Sequence, residues 1–260
     1  SKRKFHSFNY HPATDSLVSI TKAGALLAFS RKTGEMIAPI GQIPGAPAIS
    51  GNGTKIPGFV LNKVDPLMDK AFGKTDEGLS LFSAAVNYIY GGGGVVTNFF
   101  SIAPDTSRIY MAATAPDADD GTQDGRSELG AIYALDLVDD GSGGLEFQVL
   151  NSKTFQGGTG STPALSADGH RLYVSDNEGH VIALNSELEE VWKVDVGEPL
   201  VGSITVSPDN HELYAVTRKD VIQLIDKGDH GDMGWTGELT GFDGYANVDV
   251  QANALTATAT

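Results

Sequence analysis

The chain has 260 residues, 33 acidic against 18 basic for a formal charge of -15, with 32 glycines and no cysteine. Disulfides, thiolate nucleophiles, Cys-ligated zinc or iron–sulfur clusters and covalently attached c-type haem are thereby excluded. The acidity disfavours nucleic acid and anionic lipid, which are bound by Lys and Arg neutralising phosphate, and no apolar run reaches the roughly 18 residues of a membrane span.

From the N-terminus, Lys2-Arg3-Lys4 is a short basic cluster read as a solvated tail, and no hydrophobic segment of a signal peptide follows it. The stretch FNYHPATDSLVSITKAGALLAFSRKTGEMIAPI then reads as short apolar strands broken at Lys22-Ala23-Gly24 and Thr33-Gly34. A second unit opens at GAPAISGNGTKI, with Ile56 in register, and degenerates into a divergent blade over 57–94. Within it, Asp65-Pro66 could start a short helix through Phe72, and the segment is a candidate cap or partner-docking surface. A third unit, SIAPDTSRIYMAAT, is interrupted by the acidic insertion 116–128 between its second and third strands.

The cleanest unit follows, STPALSADGHRLYVSDNEGHVIALNSELEEVWKVDV from Ser161. It divides into strands at 162–165, 171–175, 180–184 and 191–194, with turns at Ala167-Asp168-Gly169, Asn177-Glu178-Gly179 and 185–189. The next unit, SITVSPDNHELYAVTRKDVIQLID from Ser203, repeats it, pairing Asp168 with Asp209, Leu172 with Leu213 and Tyr173 with Tyr214 at a step of 41 residues. Equivalent markers fall at Leu17, Ile56, Ile109, Leu172, Leu213 and Leu255. A period of about 40 residues built from four short strands predicts propeller blades. The expected fold is all-β: one β-propeller domain over 1–260, with five blades and half a sixth, forming part of a seven- or eight-bladed ring.

The Pro-Ala-Leu strand, the Asp turn, Leu-Tyr-Val, Gly-x-Val-x-Ala-Leu-Asn and the following Trp resemble the PQQ-like, or quinoprotein alcohol dehydrogenase-like, propeller repeat. Ala183, Asn185 and Trp192 match that family's docking motif. Weaker copies place Ile37, Phe147 and Trp235 where the docking aromatic would stand. The resemblance implies that Trp192 and Trp235 fill space between blades. Tyr110, Tyr173 and Tyr214 are expected to pack between sheets, and Asp105, Asp168 and Asp209 to serve as turn acceptors. It also implies that catalytic members hold a quinone with calcium or a related ion, an Asp base and in many cases adjacent cysteines. With no cysteine and no matching set of carboxylates, PQQ is not expected here.

Chemistry-bearing candidates lie where the repeat breaks. Asp117, Asp119, Asp120, Asp124 and Glu128 gather hard oxygen ligands in one loop, a candidate calcium site weighed against a solvated acidic loop. Asp229, His230 and Asp232 could form a metal or acid/base set in a Gly-rich turn, while His170, His180 and His211 are expected at different blade levels. Two functions follow: a non-catalytic extracytoplasmic propeller (periplasmic, cell-surface or secreted) binding a protein or carbohydrate partner, or a propeller enzyme. The enzyme would be a PQQ-dependent dehydrogenase or a metal-assisted lactonase-like hydrolase with its ligands converging on the central channel.

Overall fold

Short strands of Val, Ile, Leu, Tyr and Ala cannot satisfy their backbone N–H and C=O groups alone, and turns rich in Gly, Asp and Asn fold each back on the last. The computed structural model describes residues 5–21, 24–44, 99–115, 130–155, 162–176, 178–198, 200, 203–209, 211–217 and 219–239. These residues form four antiparallel sheets, each of four strands in sequence order.

The first sheet comprises β1 (Phe5–His11), β2 (Ser16–Thr21), β3 (Ala25–Ser30) and β4 (Gly41–Gln42); the second, β5 (Phe100–Ile102), β6 (Ile109–Thr114), β7 (Gly130–Asp139) and β8 (Leu145–Phe155). The third holds β9 (Ala164–Leu165), β10 (Arg171–Ser175), β11 (His180–Asn185) and β12 (Glu190–Asp195), and the fourth β13 (Thr205–Val206), β14 (Glu212–Val216), β15 (Asp220–Asp226) and β16 (Gly231–Glu238). The markers Leu17, Ile109, Leu172 and Leu213 each lie on the second strand of a sheet, whereas Ile56, Leu255 and the segment 57–94, with its expected helix, lie outside the described residues. A 3-10 turn at Pro12–Thr14 is the one helical element among the described residues, and no helix there is long and apolar enough to cross a membrane.

The two-residue alternation of the strands sends successive side chains to opposite neighbours. On β6, Ile109, Met111 and Ala113 pack with Val18, Ile20, Leu26 and Ala28 of the first sheet, while Tyr110 and Ala112 pack with Leu172, Val174, Ile182 and Leu184 of the third. Tyr173, Ala183 and Trp192 in turn meet Leu213, Ala215, Ile222 and Leu224 of the fourth. The first and second sheets are thus direct neighbours, although residues 45–98 separate them in sequence. The innermost strands are also cinched by one hydrogen bond at each junction. Asn9 Nδ2 donates to Phe100 O (2.6 Å), Ser101 Oγ to Pro163 O (2.5 Å), and Thr162 N to Ser203 Oγ (3.1 Å).

The outermost strands are bulged in three sheets, where the register slips between Ala134/Leu135, Ala183/Leu184 and Ile222/Leu224. A bulge sharpens the local twist and blunts an otherwise open edge. It also decides which face a side chain takes. Asn151 lies opposite Ala134 as Trp192 lies opposite Ala183. Phe147, standing where the docking aromatic would, packs between sheets against Gly41 of the preceding one, where an added Cβ would come within 2.9 Å of its ring. Trp235 is corrected: it is 49% exposed, against 6% for Trp192.

Candidate functional site

The Asp turns are built as the repeat predicts. Ser166 Oγ donates to Asp168 Oδ1, which also accepts the His170 amide, and Arg171 N donates back to Ser166 Oγ. Ser207, Asp209, His211 and Glu212 repeat this network. The serine hydroxyls, followed by the backbone amides, hold the Asp168 and Asp209 carboxyls below the usual range. Asp105 departs from the pattern: it leans against the next turn, 3.9 Å from His170 Nδ1 and close to Gly169.

Between the third and fourth sheets these turns border a groove of about 590 Å³. Its base is a buried aromatic and carboxylate set. Tyr173 Oη donates to Asp226 Oδ2 (2.6 Å), Trp192 Nε1 to Asp226 Oδ1 (3.0 Å), and the Gly228 amide to the same Oδ1 (2.7 Å). Burial and then the Asp226 carboxylate push the Tyr173 phenol far up, so it remains a donor. Trp192 sits over Gly231, where a Cβ would come within 2.9 Å of the indole. Arg171 donates from Nη2 to Gly228 O (3.0 Å) and places Nε 3.9 Å from Asp226 Oδ2, while its Nη1 is buried with no hydrogen-bond partner. His170, His211 and Lys227 complete the rim. His170 and His211 therefore share one level of the propeller, contrary to expectation; His180 lies at the opposite end of its strand pair, on the β10–β11 hairpin.

Two other clusters fall among the described residues. Asp176 accepts the Glu178 and His180 amides (3.0 and 2.9 Å), lies 2.8 Å from His180 Nδ1, and pairs with Lys193 at 3.4 Å. Asp176, Glu178 and His180 bring ligand atoms within 4.8 Å of one another, as a metal would require, but those bonds account for the Asp176 carboxylate as the cap of its hairpin. In the β15–β16 turn, His230 Nδ1 contacts Asp229 Oδ1 at 2.6 Å and its Nε2 lies 3.8 Å from Asp232, all three side chains being exposed. Asp117, Asp119, Asp120, Asp124 and Glu128 lie outside the described residues; the insertion leaves and re-enters at the paired residues Thr114 and Gly130. The innermost strands of the described sheets contribute no carboxylate.

Sequential four-stranded meanders packed face to face by alternating rows define a protein of the β-propeller class. Residues 112–257, more than half of the chain, match the family model described as outer membrane protein assembly factor BamB, and the chain belongs to this BamB-like PQQ-repeat propeller family. In three dimensions it is similar to BamB from Moraxella catarrhalis, with 13% identity, a TM-score of 0.49, and coverage of 90% of this chain and 49% of that one. It is also similar to the β-propeller domain of Myceliophteria thermophila Cps50 (Swd1), with 8% identity, a TM-score of 0.49, and coverage of 90% and 59%. The chain thus spans about half to three-fifths of the length of these structures. No curated protein matches it in sequence.

Proposed function

We propose that the chain is a non-catalytic, extracytoplasmic scaffold that binds a protein partner through the turns at one end of its blades, within outer-membrane protein assembly as its family's description suggests. The observation that carries this is the use of the polar groups on and beside the innermost strands. The Asn9, Ser101 and Ser203 side chains, which a site on the innermost strands would draw on, are committed to cinching adjacent blades. Catalysis needs a nucleophile or base in mutual reach with its partners, and the buried carboxylates Asp176 and Asp226 are each spent on local donors. Completion of a seven- or eight-bladed ring belongs to the same proposal.

The test is in-cell photocrosslinking from three positions: Glu178 at one end of the blades, His211 at the other, and Leu150 on the outer edge. A covalent adduct with one defined protein, from one end and not from Leu150, is the expected outcome. Absence of any protein adduct, together with turnover of an alcohol or lactone by the purified protein supplied with quinone or calcium, would overturn it.

A further inference from the structure

Two arginines occupy one position of the repeat, and they meet carboxylates at different distances: Arg108 Nη1 lies 2.9 Å from Glu187 Oε1, whereas Arg171 comes no nearer to Asp226 Oδ2 than the 3.9 Å of its Nε. Arg108 and Arg171 each stand immediately before a marker, Ile109 or Leu172, and two residues before a buried tyrosine. Each reaches the turn between the last two strands of the following sheet. The pairs Leu172↔Leu184 and Leu213↔Leu224 set the two turns in register, so Ser186 corresponds to Asp226 and Glu187 to Lys227. In the earlier junction, Arg108 Nη1 donates to Ser186 O (3.2 Å) and to Glu187 Oε1 (2.9 Å). In the later one, Lys227 stands at the register of Glu187 and Arg171 Nη1 is left without a hydrogen-bond partner, as Arg108 Nε is in the earlier junction, so the difference between the two is the missing Glu187 contact.

The groove lies at this vacancy. Its two lining carboxylates are already engaged, Asp168 by Ser166 and the His170 amide, Asp226 by Tyr173, Trp192 and Gly228. Lys227 and Arg171, the latter 3.9 Å from Asp226, are the cations of the lining, with His170 and His211 beside them. A carboxylate arriving in the groove meets the Lys227 ammonium and the exposed part of the Arg171 guanidinium, and gains charge-assisted bonds there. Tyr173, Val191 and Ile225 supply apolar wall against which the stem of an acidic residue can lie.

We infer that this groove is a carboxylate-binding site for an acidic residue or C-terminus of a partner polypeptide, which takes the place that Glu187 fills in the neighbouring junction. This rests on the scaffold function proposed above and gives it a chemistry: an otherwise acidic protein carries one socket for acid.

The probes are three tripeptides: acetyl-Gly-Glu-Gly-amide, carrying a side-chain carboxylate; acetyl-Gly-Gly-Gly, carrying only a terminal one; and acetyl-Gly-Gln-Gly-amide as the neutral control. Nitrogen–proton NMR of the full chain follows the Arg171 Nε–Hε and Gly228 amide signals. One or both acidic peptides should move these signals saturably while the control does not, and the tighter binder identifies the source of the carboxylate. Lys227→Glu restores the internal acid. It should raise the thermal midpoint and weaken peptide binding by at least about tenfold. Lys227→Ala should weaken binding less and leave the midpoint near that of the parent. No shift with either acidic peptide at millimolar concentration, or equal binding by Lys227→Glu and the parent, would overturn the site. Photocrosslinked adducts would be unaffected by that failure, so loss of the socket and loss of the scaffold function are told apart.

Discussion

The junction between the second and third sheets and the one between the third and fourth are built on the same positions with different chemistry. In the earlier junction, Tyr110 donates to the Ser186 carbonyl (3.1 Å) and Asn151 to the Glu187 carbonyl (2.6 Å), while Arg108 bridges Glu187 and, at 3.5 Å, Asp136. In the later one, Tyr173 and Trp192 converge on a single buried carboxylate, Asp226, and the matching arginine comes no nearer to it than 3.9 Å. Backbone carbonyls accept without a desolvated charge, whereas a buried carboxylate must be fully bonded to be tolerated. What recurs at a junction is therefore architecture, and what changes sign, Glu187 to Lys227, is where an external ligand can enter.

The largest test of this contrast is Trp192→Ala, which removes a buried indole and an Asp226 donor together and should cost about 3–5 kcal/mol in urea unfolding. Asn151→Ala at the equivalent position loses one bond to a backbone carbonyl and should cost about 1 kcal/mol. Equal losses would show that the two junctions are not differently built. Asp226→Asn comes next. Its amide cannot accept from all of Tyr173, Trp192 and Gly228, so one buried donor is stranded at a cost of about 1–3 kcal/mol, measurable as a lower urea midpoint. An unchanged midpoint would mean that the carboxylate is not the keystone of that junction.

Much of the later junction could be read in the chain, because strands β10 and β11 and their turns follow a period that leaves few alternatives. The packing of Tyr173 and the Asp turns at 168 and 209 follow from that periodicity, the docking of Trp192 from the family resemblance, and the serine partners of the two turns from neither. Phe147 does pack between sheets, but at a different position from Trp192: the long β7–β8 hairpin pairs it with Leu137 and leaves Asn151 opposite Ala134, where Trp192 stands opposite Ala183, and the length of that hairpin is not fixed by the repeat. Trp235 was misplaced because register places an aromatic beside its tyrosine but does not say whether another sheet covers the pair. Asp226 and Arg171 carried no motif, although aligning the two turns does expose the charge reversal at Lys227. The acidic insertion that drew attention in the sequence, Asp117 to Glu128, has no repeat counterpart against which to be measured.

The first junction sharpens the comparison through pH. His11 is buried where the first sheet meets the second, with Nδ1 2.8 Å from Thr14 Oγ1 and the Ala13 amide donating to Ser107 Oγ. Burial lowers its pKa, against a smaller opposing pull from Asp136. The folded state thus favours neutral imidazole. Its contribution is fully present above the ordinary value of about 6.5 and is lost as pH falls from there through the lowered folded value. Unfolding free energy should decline over that interval in the parent and decline less in His11→Gln; identical slopes would remove His11 as the cause. Asp168 and Asp209 act in a separate, more acidic window, since depressed carboxyl values contribute above the ordinary carboxyl range and are lost below it.

The smallest expected effect is the most discriminating about what a docking tryptophan is for. Tyr214 and Trp235 reproduce the pair Tyr173 and Trp192 one sheet further on, with ring centroids 6.2 Å apart at 44° against 5.9 Å at 43°. Yet Tyr214 donates to Glu212 of its own strand, and Trp235 remains 49% exposed. If the aromatic pair itself carried the energy, the two tryptophans would matter equally. If coverage by the next sheet and a shared carboxylate carry it, Trp235→Ala should cost no more than about 1 kcal/mol, the worth of an exposed ring contact. Urea midpoints of Trp192→Ala and Trp235→Ala, measured side by side, decide between these. A Trp235→Ala loss as large as that of Trp192→Ala would mean that the pair, and not its cover, holds the blade.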